Sequence, residues 1–145
     1  MNRTIQREAI LQELSHKKHP TADEIYLKLR LIIPQLSLAT VYRNLEQMTE
    51  LGIIRKIFIC GHQARFDYDT TLHFHIYCTE CGRLKNLKSK ELLGIDETLQ
   101  KIVTKHKLSG YEFGFKYICK SCQQKMLEKP QISPEEKKKI LSLFD

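Results

Sequence analysis

Nowhere in the 145 residues does an apolar run approach the roughly 20 residues that a membrane-spanning helix requires. The opening residues, MNRTIQREAI, also lack the apolar core of a secretory signal. These two absences predict a cytoplasmic protein with no membrane partner. Thiols stay reduced in that compartment, which argues against disulfides, so the five cysteines read first as metal ligands. Charge is not segregated either: positions 1–68 hold 10 basic and 7 acidic residues, and positions 69–145 hold 14 and 10. The total of +7, with a pI near 9.2, suits a polyanionic partner but does not by itself identify one. There is no internal repeat beyond a doubled Cys-x-x-Cys. What is present, 41% hydrophobic and 28% charged residues, belongs to a folded chain of one domain or two small ones.

The first half patterns as short helices and a hairpin. Ile5, Ala9, Leu11 and Leu14 predict a helix with one buried face. In HPTADEIYLKLRLII, Thr21 and Glu24 form a capping box, Ile25, Leu29 and Ile32 supply an apolar stripe, and Pro34 is the stop. Ser37 can cap a third helix in SLATVYRNLEQMTELG, with Leu38, Val41, Leu45 and Met48 inward and Gly52 at its end. The β-branched IIRKIFI, a loop at 60–64 and RFDY then predict a β-hairpin. Three helices and a hairpin resemble a winged helix-turn-helix, whose third helix enters the DNA major groove. The outer face of that helix carries Thr40, Tyr42, Arg43, Glu46 and Gln47. Arg43 can reach a guanine edge or a phosphate, Tyr42 can pack on a thymine methyl, and Arg55, Lys56 and Arg65 of the hairpin can reach phosphates. An ordinary solvated helix face explains the same pattern and stays open. The residues set against DNA are Ser37, Thr40, Tyr42, Arg43 and Asn44.

From about position 71 the character changes. HFHIYCTECGRLKNLKS reads as short strands around a turn at 80–83, and GIDETLQKIVTKHKLSG as a helix along Ile95, Leu99, Ile102 and His106. YEFGFKYIC reads as a half-buried strand alternating Tyr111, Phe113, Phe115 and Tyr117. The tail has Ser133 as N-cap, Pro134 at the first helical position, glutamates before lysines, and Ile140, Leu141, Leu143 and Phe144 in need of a surface. The expected architecture is α/β with two domains: a winged helix-turn-helix at 1–70, an α/β unit at 71–128, and a helical tail at 129–145.

Chemistry concentrates in HFHIYCTECG. Cys78-x-x-Cys81 is matched by Cys119-x-x-Cys122, and two such turns complete a closed tetrahedral site of four thiolates. Such a site leaves no open coordination position, so Zn2+ there is structural. The 38 positions between Cys81 and Cys119 exceed a compact zinc ribbon, so the clamp should enclose a helix and a strand. A redox dithiol is the alternative, disfavoured because redox pairs usually come singly. His73 and His75 are then left over. Residues i and i+2 of a strand share a face, and Asp67 lies six positions earlier, so these groups can form a mixed site for Fe2+, Mn2+ or Zn2+. A polar strand face is an equal reading of His-x-His. Taken locally, His19 reads as a surface histidine, His106 as a partner of the helix dipole, and His16 and His62 as exposed. Cys60, at the hairpin turn, stays outside the zinc set.

The stretches TIQREAIL, HPTADEIY, SLATVYRNL, RFDYDTTLHFH, CTECG and CKSC together resemble the ferric uptake regulator (Fur) family of metal-dependent repressors, and within it the peroxide-responsive PerR branch. The resemblance implies a winged-helix domain hinged to an α/β dimerisation domain with a four-cysteine structural zinc at Cys78, Cys81, Cys119 and Cys122. It implies a regulatory Fe2+ or Mn2+ on His19, Asp67, His73 and His75, with a fifth ligand at position 86. Relatives carry an acidic residue there, and this chain has Asn86, whose neutral carbonyl is a weaker hard ligand. Asp67, and Phe74 between the histidines, favour the PerR branch. The implied function is a homodimeric repressor on pseudo-palindromic double-stranded operator DNA, with peroxide its only small-molecule substrate and His19 and His73 its oxidation targets. Three alternatives are an iron-availability repressor, a zinc-dependent hydrolase using Asp67, His73 and His75, and a redox switch at the four thiolates.

Overall fold

The structure, a computed structural model, describes residues 3–16 and 18–143. It divides into two compact units, Met1–His73 and Phe74–Asp145.

In the first unit, helix α1 (Arg3–His16) turns Ile10 and Leu14 into the core, with Ala9 and Leu11 partly buried. Ile5, expected on that buried face, is exposed, because only the second half of α1 lies over the core. Helix α2 (Ala22–Leu29) opens on a complete capping box. Glu24 N–H donates to Thr21 Oγ1 at 3.2 Å, and Thr21 N–H donates to Glu24 Oε2 at 3.0 Å. The helix ends at Leu29, five residues before Pro34, and the turn that follows changes the phase: Ile33 is buried and Ile32, expected inside, points out. Helix α3 (Leu38–Glu50) is capped by Ser37 Oγ, which accepts from Thr40 N–H at 3.1 Å. Gly52, at φ +70, ends it. Its N–H donates to Thr49 and that of Ile53 to Met48, the reversal that leaves the last carbonyls satisfied. Val41, Leu45 and Met48 pack with Ile10, Ile25, Ile54 and Phe66 into one core. Strands β1 (Arg55–Ile57) and β2 (Arg65–Asp67) pair antiparallel, with Arg55 opposite Asp67.

In the second unit, β3 (Phe74–Cys78) is the centre of a three-stranded sheet, antiparallel to β4 (Leu84–Leu87) and parallel to β5 (Phe115–Tyr117). Helix α4 (Lys90–His106) lies between β4 and β5 in the chain, as a parallel connection requires. Its buried positions are Leu92 and Asp96, with Leu99 and Val103 half-buried, whereas Ile95 and Ile102 of the expected stripe are exposed. The carboxylate of Asp96, sitting on the inward stripe, hid its phase. The expected long aromatic strand is three residues, and Phe113 and Phe115 remain exposed; Phe113 meets Phe74 edge-on at 5.7 Å. Helix α5 (Lys120–Leu127) starts at Cys119. Helix α6 (Pro134–Ser142) has a second full capping box, Ser133 with Glu136. Leu141 and Leu143 are exposed, and Phe144 lies outside the described residues. No helix among the described residues is long and apolar enough to cross a membrane.

Candidate metal centres

The sheet register assembles the first cluster. Parallel pairing sets Cys78 beside Tyr117, so Cys119, two residues on, arrives at Cys78 and donates its N–H to Cys78 Sγ at 3.3 Å. The turn after β3 closes with Gly82 N–H on the Cys78 carbonyl at 2.9 Å, Gly82 adopting φ +70, and it swings Cys81 back. Cys122 follows in the first turn of α5. The four sulfur atoms lie within 4.8 Å of one another, and Cys81 Sγ is 3.9 Å from Cys119 Sγ. A tetrahedron with Zn–S bonds of about 2.3 Å has edges of about 3.8 Å. The cluster therefore fits a structural zinc site. Burial pushes the Cys78 thiol up, but N–H groups of Cys119, Cys81 and Glu80 directed at its sulfur outweigh that and bring it down to about 6. The Cys122 thiol, sharing hydrogen bonds with Cys119 and crowded by the other sulfurs, is pushed up to about 12. One ready thiolate and one reluctant thiol are what four crowded sulfurs produce; a divalent cation would remove the repulsion between them.

The second cluster lies in the first unit and brings His19, Asp67 and His73 together, with one ligand atom from each within 4.8 Å of the others and all three side chains buried; His75, also buried, stands on β3 of the second unit. Asp67 closes β2. Its Oδ1 accepts from Asp69 N–H at 2.9 Å, while Oδ2 faces His73 Nε2 at 2.8 Å and His19 Nε2 at 3.2 Å. His73 Nδ1 lies 2.8 Å from the Thr71 carbonyl, which can only accept, so Nδ1 is the donor there and Nε2 is the ring nitrogen that faces the carboxylate. His19 is not the surface residue its local sequence implies. It is buried, between α1 and α2, at φ +55, a left-handed conformation that costs a residue with a β-carbon about 1–2 kcal/mol. Two imidazole nitrogens aimed at one buried carboxylate oxygen form a donor set suited to a divalent cation such as Fe2+, Mn2+ or Zn2+. Asn86 is exposed on β4, directly opposite His75 in the ladder, so its amide occupies the same sheet face as that imidazole.

The positions set against DNA divide. Tyr42 and Arg43 are exposed on α3, and Ser37 and Thr40 stand at its N-terminus, bonded to each other at 2.8 Å. Asn44 is corrected: it is buried on the inward face, and its amide donates to the Thr40 carbonyl at 2.9 Å. The hairpin cations expected to face phosphates are engaged inside the unit. Arg55 reaches the carbonyls of Thr71 and His73, Lys56 pairs with Glu46, and Arg65 donates to the His19 carbonyl. No sequence signal marks these roles, because each contact joins residues 10 to 46 positions apart. Cys60, His16 and His62 are exposed.

A three-helix unit with a hairpin and a histidine–carboxylate cluster, followed by an α/β unit with four converging thiols, defines a metal-binding regulator of the winged-helix class. The profile of the Ferric uptake regulator family matches residues 1–117, and the chain belongs to that family. It is 38% identical to the Peroxide-responsive repressor PerR of Staphylococcus aureus over 127 residues, 84% of this chain and 82% of that one. Among solved structures, the Campylobacter jejuni peroxide stress regulator superposes with a TM-score of 0.66 at 29% identity, over 83% of this chain and 90% of that one. The ferric uptake regulator of Francisella tularensis, solved with iron, superposes with a TM-score of 0.62 at 27% identity, over 81% and 90%. The family and these relatives are regulators, so the hydrolase alternative is set aside.

Proposed function

We propose that the protein is a metal-dependent, DNA-binding transcriptional repressor of the cytoplasm that senses hydrogen peroxide. The observation carrying this reading is Asp67 Oδ2, buried and faced by the Nε2 atoms of His19 and His73, in a cluster separate from the four cysteines. Cys78, Cys81, Cys119 and Cys122 hold a structural Zn2+. His19, Asp67, His73 and His75 hold a regulatory Fe2+ or Mn2+, with Asn86 a weak neutral donor beside them.

Fe2+ held by these residues would catalyse oxygen transfer from peroxide to a neighbouring ring, the ring carbon giving up the two electrons that peroxide takes. The imidazoles of His19 and His73 are the targets: one peroxide oxygen ends on the ring and the other leaves as water. A ring so altered no longer donates as before, and His19, on the connection leading into α2, releases the DNA-binding unit. Mn2+ does not readily run this chemistry and keeps the repressor on its operator. The protein works as a homodimer. A dimer is supported by the exposed Ile95, Ile102, Phe113 and Phe115 and by β5, which pairs with β3 alone among the described strands. Two α3 helices, with Tyr42 and Arg43 at bases or phosphates and Ser37 and Thr40 at phosphates, then meet half-sites of a pseudo-palindrome about 34 Å apart.

Mass spectrometry of Fe2+-loaded protein after peroxide, with a parallel gel shift, is the test. Expected is a single-oxygen adduct on His19 or His73 together with loss of DNA binding, neither of which occurs with Mn2+. Iron-dependent DNA binding that survives peroxide, with no histidine adduct, refutes peroxide sensing and leaves an iron-availability repressor.

A further inference from the structure

Arg65 on β2 joins three parts of the first unit. Its Nη1 donates to the His19 carbonyl at 2.9 Å and lies 3.6 Å from Glu24 Oε2, the oxygen that also accepts from Thr21 N–H in the capping box of α2. The neighbouring peptides are fastened too: Phe66 N–H donates to the Pro20 carbonyl at 3.0 Å, and Thr21 bridges Arg65. All of this surrounds His19, held at φ +55 in the connection between α1 and α2. Left to itself, a histidine there relaxes out of the left-handed region and its ring turns away.

We propose that Arg65 is a positioning residue for the regulatory metal, an inference that rests on the metal-site reading above. Arg65 holds the His19 backbone in its strained form, so that Nε2 already meets Asp67 Oδ2 when the ion arrives. A ligand on a mobile connection loses affinity to the entropy of its own capture, and fixing it beforehand removes that loss. Through Glu24, the same guanidinium ties the engaged state of His19 to the first turn of α2. Arginine suits the place because its planar fork offers several donors in fixed directions, whereas a lysine ammonium is a single mobile point charge.

The test uses zinc-loaded, full-length protein titrated with Co2+ against a competing chelator, comparing wild type, Arg65→Met and Arg65→Lys. Expected is an affinity about 10–100-fold lower for Arg65→Met, the range seen when an outer partner of a metal ligand is removed, with a smaller loss for Arg65→Lys. The visible Co2+ band of Arg65→Met should also shift as an imidazole drops out, a change that a merely structural role does not produce. Zinc content and melting temperature before Co2+ is added should match wild type. Equal affinities and spectra for all three proteins overturn the proposal, as does a loss of affinity that only follows a fall in melting temperature. If Arg65→Met does not fold, Arg65→Lys decides on the same readouts. A wild-type protein that takes up no Co2+ beyond its zinc refutes the metal-site reading itself, a result distinct from either of these.

Discussion

Stripping zinc from the four cysteines should unfold the second unit and leave the first standing. Among the described residues, the second unit buries only Phe74, Leu84 and Leu92 as apolar side chains besides Cys78 and Cys119. At about 1.5–3 kcal/mol each, those three contribute about 5–9 kcal/mol. A structural zinc contributes about 10–16 kcal/mol of apparent folding free energy near pH 7. That exceeds the hydrophobic term and matches the whole net stability of an ordinary domain, about 5–15 kcal/mol. The first unit has twelve clustered core side chains and no part in the thiolate site, so its stability does not depend on the ion. The assay is a strong chelator under reducing conditions, followed by far-UV circular dichroism and amide NMR; the chain has no tryptophan to report by fluorescence. Helix signal from α4 and α5 should vanish while resonances of α1–α3 keep their dispersion, and melting should split into two steps. Native-like dispersion for the β3, β4 and β5 amides with zinc quantitatively removed would refute the reasoning.

Removing the carboxylate in Asp67→Ala should weaken Mn2+ binding by more than the roughly 10–100-fold typical of an outer-shell change, with zinc content unaltered; Mn2+ electron paramagnetic resonance reads both the loss and its selectivity. If the proposed ion sits beside position 86, Asn86→Asp adds a unit of negative charge to its surroundings and should raise Mn2+ affinity tenfold or more, since even at an effective dielectric near 20 a charge about 4 Å from another contributes several kcal/mol before desolvation. Zinc uptake by the metal-free protein should release protons. At pH 7 Cys78, at about 6, has mostly lost its proton, whereas Cys122, at about 12, still holds one, so apparent affinity rises with pH across the neutral range. Below about pH 6 Cys78 adds a further proton to the release and affinity falls faster. Calorimetry in two buffers of different ionisation enthalpy measures the number. Arg43→Ala should lower operator affinity: a salt dependence reduced by about one unit marks a phosphate contact, and relaxed preference at one base pair, about 1–3 kcal/mol, marks a guanine contact.

What the sequence disclosed was local. The two Cys-x-x-Cys turns, the capping boxes at Thr21 and Ser133 and the Gly52 stop each lie within a few residues, and each takes the form its spacing implies. Phase was harder to read. Ile32 yields to Ile33 because α2 ends before the stripe does, and the inward stripe of α4 was hidden because one of its members is Asp96. Asn44 looked like a DNA-facing amide, yet a carbonyl four residues back lets it be buried at little cost. His19 was invisible by local rules, since its partner Asp67 lies 48 positions away and its backbone takes a conformation that no histidine announces. Family resemblance, not residue pattern, supplied it.

Strand β3 carries both His75 and Cys78, three residues apart on one extended segment. With His75 as a ligand, as proposed above, the two centres should not be independent in assembly. If both centres hold the ions proposed for them, zinc should seat first, because without it β3 loses the anchor that fixes where His75 stands. If the protein senses peroxide as proposed, a cell starved of zinc would make it blind to peroxide even with iron plentiful, and adding iron alone would not restore the response.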